Sequence, residues 1–339
     1  MGHYIYIPTA GTSEMQVHRL DPATGKLALV HTVGLEAAGS ALCTDPQRRF
    51  LYVTTRAADD IAVSTYRIAP DGGLSRIGAV DLEGCQPCYL STDRRGRYLL
   101  AAYYSDGLVT AHPVGADGAA HGPPTARVET ERCAHWIATD PSNRYAFVPH
   151  VARANAIYQF VFDEDSGALL PNAVPKIAAG PGQGPRHLAF HPALDVVYAD
   201  NEQECSVTVY DLDRASGTLR PRQTLSTLPA AGFEGEKSNA QLHLHPDGRA
   251  VYASNRGPDS IAVFGVDPQS GGIVSLGQQP AQPVPRAFGI DAGGDFLVSG
   301  ADGSSVLTVF LIDAGGALEP VAEYDVGAPC AWVLPVKIG

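Results

Sequence analysis

Asp140-Pro-Ser-Asn-Arg-Tyr-Ala-Phe-Val148, followed by Ile157-Tyr-Gln-Phe-Val-Phe162, decides the fold. Pro and Asn supply turn chemistry, and each run after them is β-branched or aromatic, so the segment reads as two strands in succession. It has counterparts along the whole chain. Turn-then-strand copies lie at Asp45–Val53, Asp93–Ala101, His191–Ala199, His245–Ala253 and Asp291–Ser299. Copies of the second run lie at Met15–Leu20, Ile61–Tyr66, Leu108–His112, Val207–Leu212, Ile261–Val266 and Leu307–Ile312, with starts 46 to 54 residues apart. Each runs into a turn and a Gly-Leu-like step. A repeat of that length carried by strands marks a β-propeller.

The remaining copy is split between the chain ends. Tyr4–Ile7 supplies its second strand and Cys330–Leu334 its first. The expected architecture is therefore all-β: a seven-bladed β-propeller, one domain over 1–339, closed by an N-terminal and a C-terminal strand in one blade. Such closure leaves no free sheet edge at the seam.

Composition sets limits on function. The net charge of −12 argues against a general nucleic-acid or anionic-membrane binder. No apolar run is long enough for a membrane helix, and no basic, apolar leader precedes Tyr4, so a cytoplasmic protein is expected. Of the six cysteines only Cys85-Gln-Pro-Cys88 has a suggestive spacing. It lacks a second pair or a histidine at ligand spacing and leads into a strand, so buried structural thiols are expected rather than a zinc or redox centre. Disulfides are not expected.

A repeat also makes its exceptions legible. In each blade the inner strand and the next are antiparallel, so the start of one and the end of the other share a rim. Five residues before each turn residue, the inner-strand column reads Ser40, Cys88, His135, Arg186, Ala240 and Arg286, with Cys330 in the closing blade. One residue further on stand Tyr89, Trp136, His187 and Gln241; at the second-strand ends stand His150, Glu202 and Arg256. Singly, each has a bland reading. An arginine can tie blades together for little energy, a histidine can sit satisfied in a core, and an aromatic ring usually packs. His191 and His245 merely replace the Asp of the repeat turn. Together, His135, Arg186, Glu202, Arg256 and Arg286 on one arc indicate a site.

Its chemistry suits an anionic or polyhydroxylated small molecule. Arginine gives bidentate bonds to carboxylate or phosphate and stabilises an oxyanion as it forms. His135 or Glu202 is the candidate general base; an arginine beside Glu202 suits it better to orienting water, which favours His135. There is no Gly-x-Ser-x-Gly elbow and no defensible triad, so direct attack by water is expected. No cofactor is expected, and one acid among arginines offers too few oxygens for calcium or magnesium.

Gly184-Pro-Arg-His-Leu-Ala-Phe-His-Pro192 followed by Asn201-Glu202 resembles the signature of the seven-bladed lactonase family. That family includes bacterial cycloisomerase-2-type 6-phosphogluconolactonases and the fungal carboxy-muconate lactonizing enzyme. Ser254-Asn-Arg256, Pro285-Arg286 and Trp332-Val333 fit the same pattern, and the resemblance spans the chain. It implies a metal-independent propeller acting on a lactone, with catalytic residues at His135, Arg186, Glu202 and Arg256. Arg286, His187, Gln241, Trp136, Tyr89 and His150 are the expected substrate contacts. Gln241 stands where relatives usually carry an acid, Cys88-Tyr89 replaces Cys-His or Ser-His, and Tyr103-Tyr104 replaces Asn-Tyr. These departures reshape the channel mouth, and the lactone need not be 6-phosphogluconolactone. The alternatives are a muconate-type cycloisomerase and a non-catalytic binding platform; the marks of WD40 platforms are absent.

Overall fold

A computed structural model describes residues 2–58 and 60–339, whose twenty-eight strands form seven four-stranded antiparallel sheets. The protein is a seven-bladed β-propeller. Six blades are continuous in sequence. The first pairs Gly2–Pro8 with Glu14–Leu20 on one side and with the C-terminal strand Leu334–Ile338 on the other. The seam is thus closed by both chain ends, but not by the residues expected. Tyr6 pairs with Leu334 and Gly2 with Ile338, whereas Cys330 makes only an isolated bridge to Thr9. Cys330–Val333 instead runs along the rim, where the Ala331 N–H donates to Pro8 O.

The repeated turn is a carboxylate cap. Asp45 Oδ1 accepts the N–H groups of Arg49 and Phe50, and Asp93, Asp140 and Asp291 do the same for the residues four and five further on. His191 Nδ1 takes the N–H groups of Ala193 and Leu194 in its own turn, as its place in the repeat predicts.

Neighbouring blades interlock through the Gly-Leu-like step. Gly25, Gly72, Gly118, Gly167, Gly217, Gly271 and Gly316 each lie in the turn before an outer strand. Each is pressed against a second-strand side chain of the preceding blade: Phe296, Tyr4, Phe50, Tyr98, Tyr145, Val196 and Ala250 in turn. Tyrosine hydroxyls bolt the same contact, as Tyr52 does to Gly118 O and Tyr198 to Gly271 O, both at 2.9 Å. Clusters of buried apolar side chains fill the spaces between blades, as burial of both sheet faces demands.

The cysteines depart in part from expectation. All six thiols are free, but only Cys205 and Cys330 are fully buried; the other four are partly exposed. Among the described residues no helix is long and apolar enough to cross a membrane.

Candidate active site

The inner strand of the fifth blade, Pro185–Phe190, carries a bulge. Pro185 pairs with Asn201 and Leu188 with Ala199, so Arg186 and His187 together oppose Asp200. The same slip sets Ala240 and Gln241 against Ser254, and Ser40 and Ala41 against Thr54. A bulge re-aims the side chains it carries. Arg186 is turned into a cavity of about 180 Å³ at the channel mouth, shared with His135, Cys88, Ser40, Gln241, Arg286 and Trp332.

Arg186 is buried, with 3% of its side chain exposed, and its nitrogens are unequally engaged. Nη1 donates to Ala240 O and lies 3.1 Å from His187 Nε2. Nε lies 3.1 Å from Glu202 Oε2, but off the hydrogen-bonding direction. Nη2 makes no hydrogen bond among the described residues, and Arg186 lines the cavity. Burial pulls the guanidinium down to about 10 against the opposing pull of Glu202 and Asp200, so it stays charged at neutral pH. Arg256 Nη2 donates to Glu202 Oε1 at 2.9 Å and also to Asn239 O. Glu202 is therefore clamped between two arginines from adjacent blades. Arg286, exposed on the rim, donates to Asp302 at 3.2 Å.

His135 lines the cavity, and Tyr104 stands edge-on to it with ring centres 5.7 Å apart. Burial first, then the charge of Arg186, holds the His135 imidazole well below its ordinary range. It is neutral at physiological pH and a weak proton acceptor. Burial pushes the Cys88 thiol up to about 12, so it remains protonated, with Sγ 3.4 Å from Ala134 O. Sequence reasoning missed Asp200. It is fully buried, its Oδ1 accepts the His187 N–H at 2.7 Å, and its Oδ2 has no partner among the described residues. Its only sequence signal was an acid two residues before Glu202.

Aromatic rings cluster beside this cavity. Tyr89 lies 5.6 Å from Trp136, 5.1 Å from His187 and 5.7 Å from Trp332, centre to centre. A second cavity of about 270 Å³ adjoins it, sharing Gln241 and Trp332 and lined also by Tyr89, Trp136, His187 and His243. Of the expected substrate contacts, Arg286 and Gln241 line the first cavity, while Tyr89, Trp136 and His187 line the second. Gln241 Oε1 accepts the Phe288 N–H at 2.9 Å, so its amide also links two blades. His150 does not join the site. It is fully buried, Nδ1 faces Val148 O at 3.0 Å and Nε2 faces Thr130 Oγ1 at 2.9 Å. His150 pairs with Ala134 as Asn201 pairs with Pro185, so the fourth-blade counterpart of Glu202 is Val151. A one-residue offset puts a side chain on the opposite face of a strand. Cys330 is buried beneath Gly300, and Ala331 takes its expected place at the cavity.

A closed seven-bladed ring with arginines, a clamped glutamate and a histidine at one channel mouth defines a class of propeller hydrolase. The chain belongs to the lactonase family: the family model described as "Lactonase, 7-bladed beta-propeller" matches residues 2–335. Its relatives include a 6-phosphogluconolactonase of Pectobacterium carotovorum, 35% identical over 98% of both chains. A 6-phosphogluconolactonase of Erwinia tasmaniensis is 32% identical over 97% of this chain and 98% of its own. Among solved structures, a periplasmic gluconolactonase of Pseudomonas aeruginosa superposes with a TM-score of 0.88 at 28% identity, covering 100% of both chains.

Proposed function

We propose that this lactonase hydrolyses a sugar-acid or phosphorylated lactone, a substrate of the kind for which its relatives are named, by direct attack of water. The observation that carries the reading is Arg186: a buried, charged guanidinium lining the cavity, anchored through Nη1 and paired with Glu202 by charge, with no hydrogen bond from Nη2 among the described residues. A lactone carbonyl placed on Nη2 gains a donor that is already oriented and desolvated, and that bond strengthens as the oxygen becomes an oxyanion. Glu202, its carboxylate fixed by Arg256, orients the attacking water and takes its proton as the new C–O bond forms, then passes it to the ring oxygen as the ring C–O bond breaks and the hydroxy acid is released. His135, neutral and at the cavity wall, hydrogen-bonds the water or the ring oxygen rather than accepting a full proton. Arg286, exposed at the rim, meets the carboxylate or phosphate of the substrate.

Catalysis without a metal is part of this proposal and rests on the arginine-rich donor set. A reducing compartment suits the six free thiols, so we place the protein in the cytoplasm. The test is acid release, followed with a pH indicator, from glucono-δ-lactone, 6-phosphoglucono-δ-lactone and aromatic-pathway lactones, run in H₂¹⁸O. Enzyme-dependent acid with one solvent oxygen in the product is expected, together with its loss in Arg186→Ala. Turnover without solvent oxygen would identify a cycloisomerase instead.

A further inference from the structure

We infer that Asp200 is a positioning residue of this site, and that its carboxyl sets how much positive charge Arg186 offers to the substrate. The inference rests on the reading of Arg186 given above. Its first support is geometric. Asp200 is the single residue facing the two-residue bulge of Arg186 and His187, and it holds that bulge by accepting the His187 N–H at 2.7 Å.

The sixth blade repeats this arrangement with a different residue. There Ser254 faces the bulge of Ala240 and Gln241, and its hydroxyl accepts the Gln241 N–H at 3.1 Å. A hydroxyl therefore suffices to cap such a bulge. In the fifth blade, beside the buried arginine, the chain carries a carboxyl instead. That carboxyl is fully buried, and Oδ2 has no hydrogen-bond partner among the described residues. An unpartnered buried carboxylate oxygen is costly unless the group is protonated or stands near a cation.

The groups around it meet both conditions. Arg186 lies across from it on the inner strand, Glu202 follows on its own strand, and Arg256 approaches from the next blade. The neutral rings of His187 and His135 complete the surroundings of Arg186. Burial pushes the Asp200 carboxyl up to about 7, against the pull of Arg186 and with Glu202 adding to the rise. With Asp200 protonated, Glu202 is the one remaining carboxylate beside Arg186 among the described residues, and the guanidinium acts on the lactone carbonyl with most of its charge. With Asp200 ionised, two carboxylates share Arg186, and its field at the substrate weakens. Activity that depends on Arg186 should therefore fall as pH rises through the Asp200 transition.

The experiment compares kcat/KM of the wild type, Asp200→Asn, Asp200→Ser and Arg186→Ala from pH 6 to 8 on glucono-δ-lactone and 6-phosphoglucono-δ-lactone, after subtraction of spontaneous hydrolysis. It is paired with ¹³C-carboxyl NMR of aspartate-labelled wild-type protein. The wild type should lose activity by up to about tenfold over this range, the change in the protonated fraction of one group titrating at its centre. Asp200→Asn and Asp200→Ser should be flat there, and one aspartate carboxyl should titrate near 7. Wild-type-like profiles in both variants overturn the role of Asp200, as does the absence of any aspartate titrating above pH 6; the NMR decides if the variants do not fold. An active Arg186→Ala would instead overturn the site reading itself, so the two failures are distinguishable.

Discussion

Arg186 Nε and Glu202 Oε2 lie 3.1 Å apart, yet neither atom makes a hydrogen bond among the described residues. The pair is held by charge rather than by a fixed bond, and Glu202 takes its directional contact from Arg256 at 2.9 Å. Removing the carboxylate charge leaves Arg186 buried with less compensation. Glu202→Gln is expected to lower kcat/KM by at least about 100-fold. It should also destabilise the fold by roughly 3 kcal/mol, the usual scale for breaking a buried pair. Steady-state kinetics and urea denaturation on the same preparation check both. Full activity in a folded Glu202→Gln protein removes Glu202 from the chemistry.

Buried histidines give the fold an acid-sensitive side. Burial lowers His18, His150 and His243 to about 4, and holds His135 and His187 well below their ordinary range. Their folded pKa values lie below the unfolded value of about 6.5, so the unfolded chain binds more protons between the two. Stability is therefore full above pH 6.5 and is lost as pH falls toward 4. Each such ring steepens the loss by up to about 1.4 kcal/mol per pH unit. His150→Phe, away from the site, should show a shallower acid slope than the wild type in urea midpoints measured at successive pH values. An unchanged slope argues against His150 being neutral in the folded state.

The interlocking glycines allow backbone strain and steric conflict to be separated. Gly11 has φ 73° and open space on the side where a Cβ would stand, whereas Gly118 has φ 90° and a Cβ there would run into the Phe50 ring. Gly11→Ala is expected to cost about 1 kcal/mol from conformation alone. Gly118→Ala should cost roughly 2 kcal/mol more, because a ring between blades must move. Equal urea midpoints for the two variants would remove the interlock as a source of stability.

The seam makes its own prediction. A chain ending at Val333 lacks the strand that pairs with Gly2–Tyr6 and loses Val336 from the cluster containing Tyr4, Tyr6 and Val17. Both the ladder and the core of the first blade are opened. The truncated chain should unfold at clearly lower urea and aggregate through its exposed edge, as read by circular dichroism and light scattering. A wild-type transition would show that the last strand is dispensable.

Blade number, ring closure and the rim arc were legible because strand repeats expose themselves by period, and residues that break the repeat stand out against it. Arg186, Glu202, Arg256 and Arg286 could be found by column counting, since all lie where inner or second strands meet one rim. What failed was counting through irregular backbone. The bulge opposite Asp200 leaves no mark in composition, so a buried acid on an unremarkable strand passed unnoticed. The fourth-blade inner strand is only Ala138–Thr139, and this irregular approach hid the one-residue offset that turns His150 away from the channel. The closing strand was placed four residues early because Cys330–Leu334 is a short continuous apolar run, whereas the pairing of Leu334–Ile338 fixes it beyond. The downward shift of the His135 pKa comes first from its burial and then from Arg186 beside it in space, and no local pattern encodes either.

Arg286 lines the cavity that holds Arg186 and stands exposed at its rim. Hydrolysis of a lactone creates a carboxylate, and the product leaves past Arg286 more negatively charged than the substrate that came in. Electrostatic attraction that speeds capture therefore delays departure, and ionic strength acts on the two halves of the traffic in opposite directions.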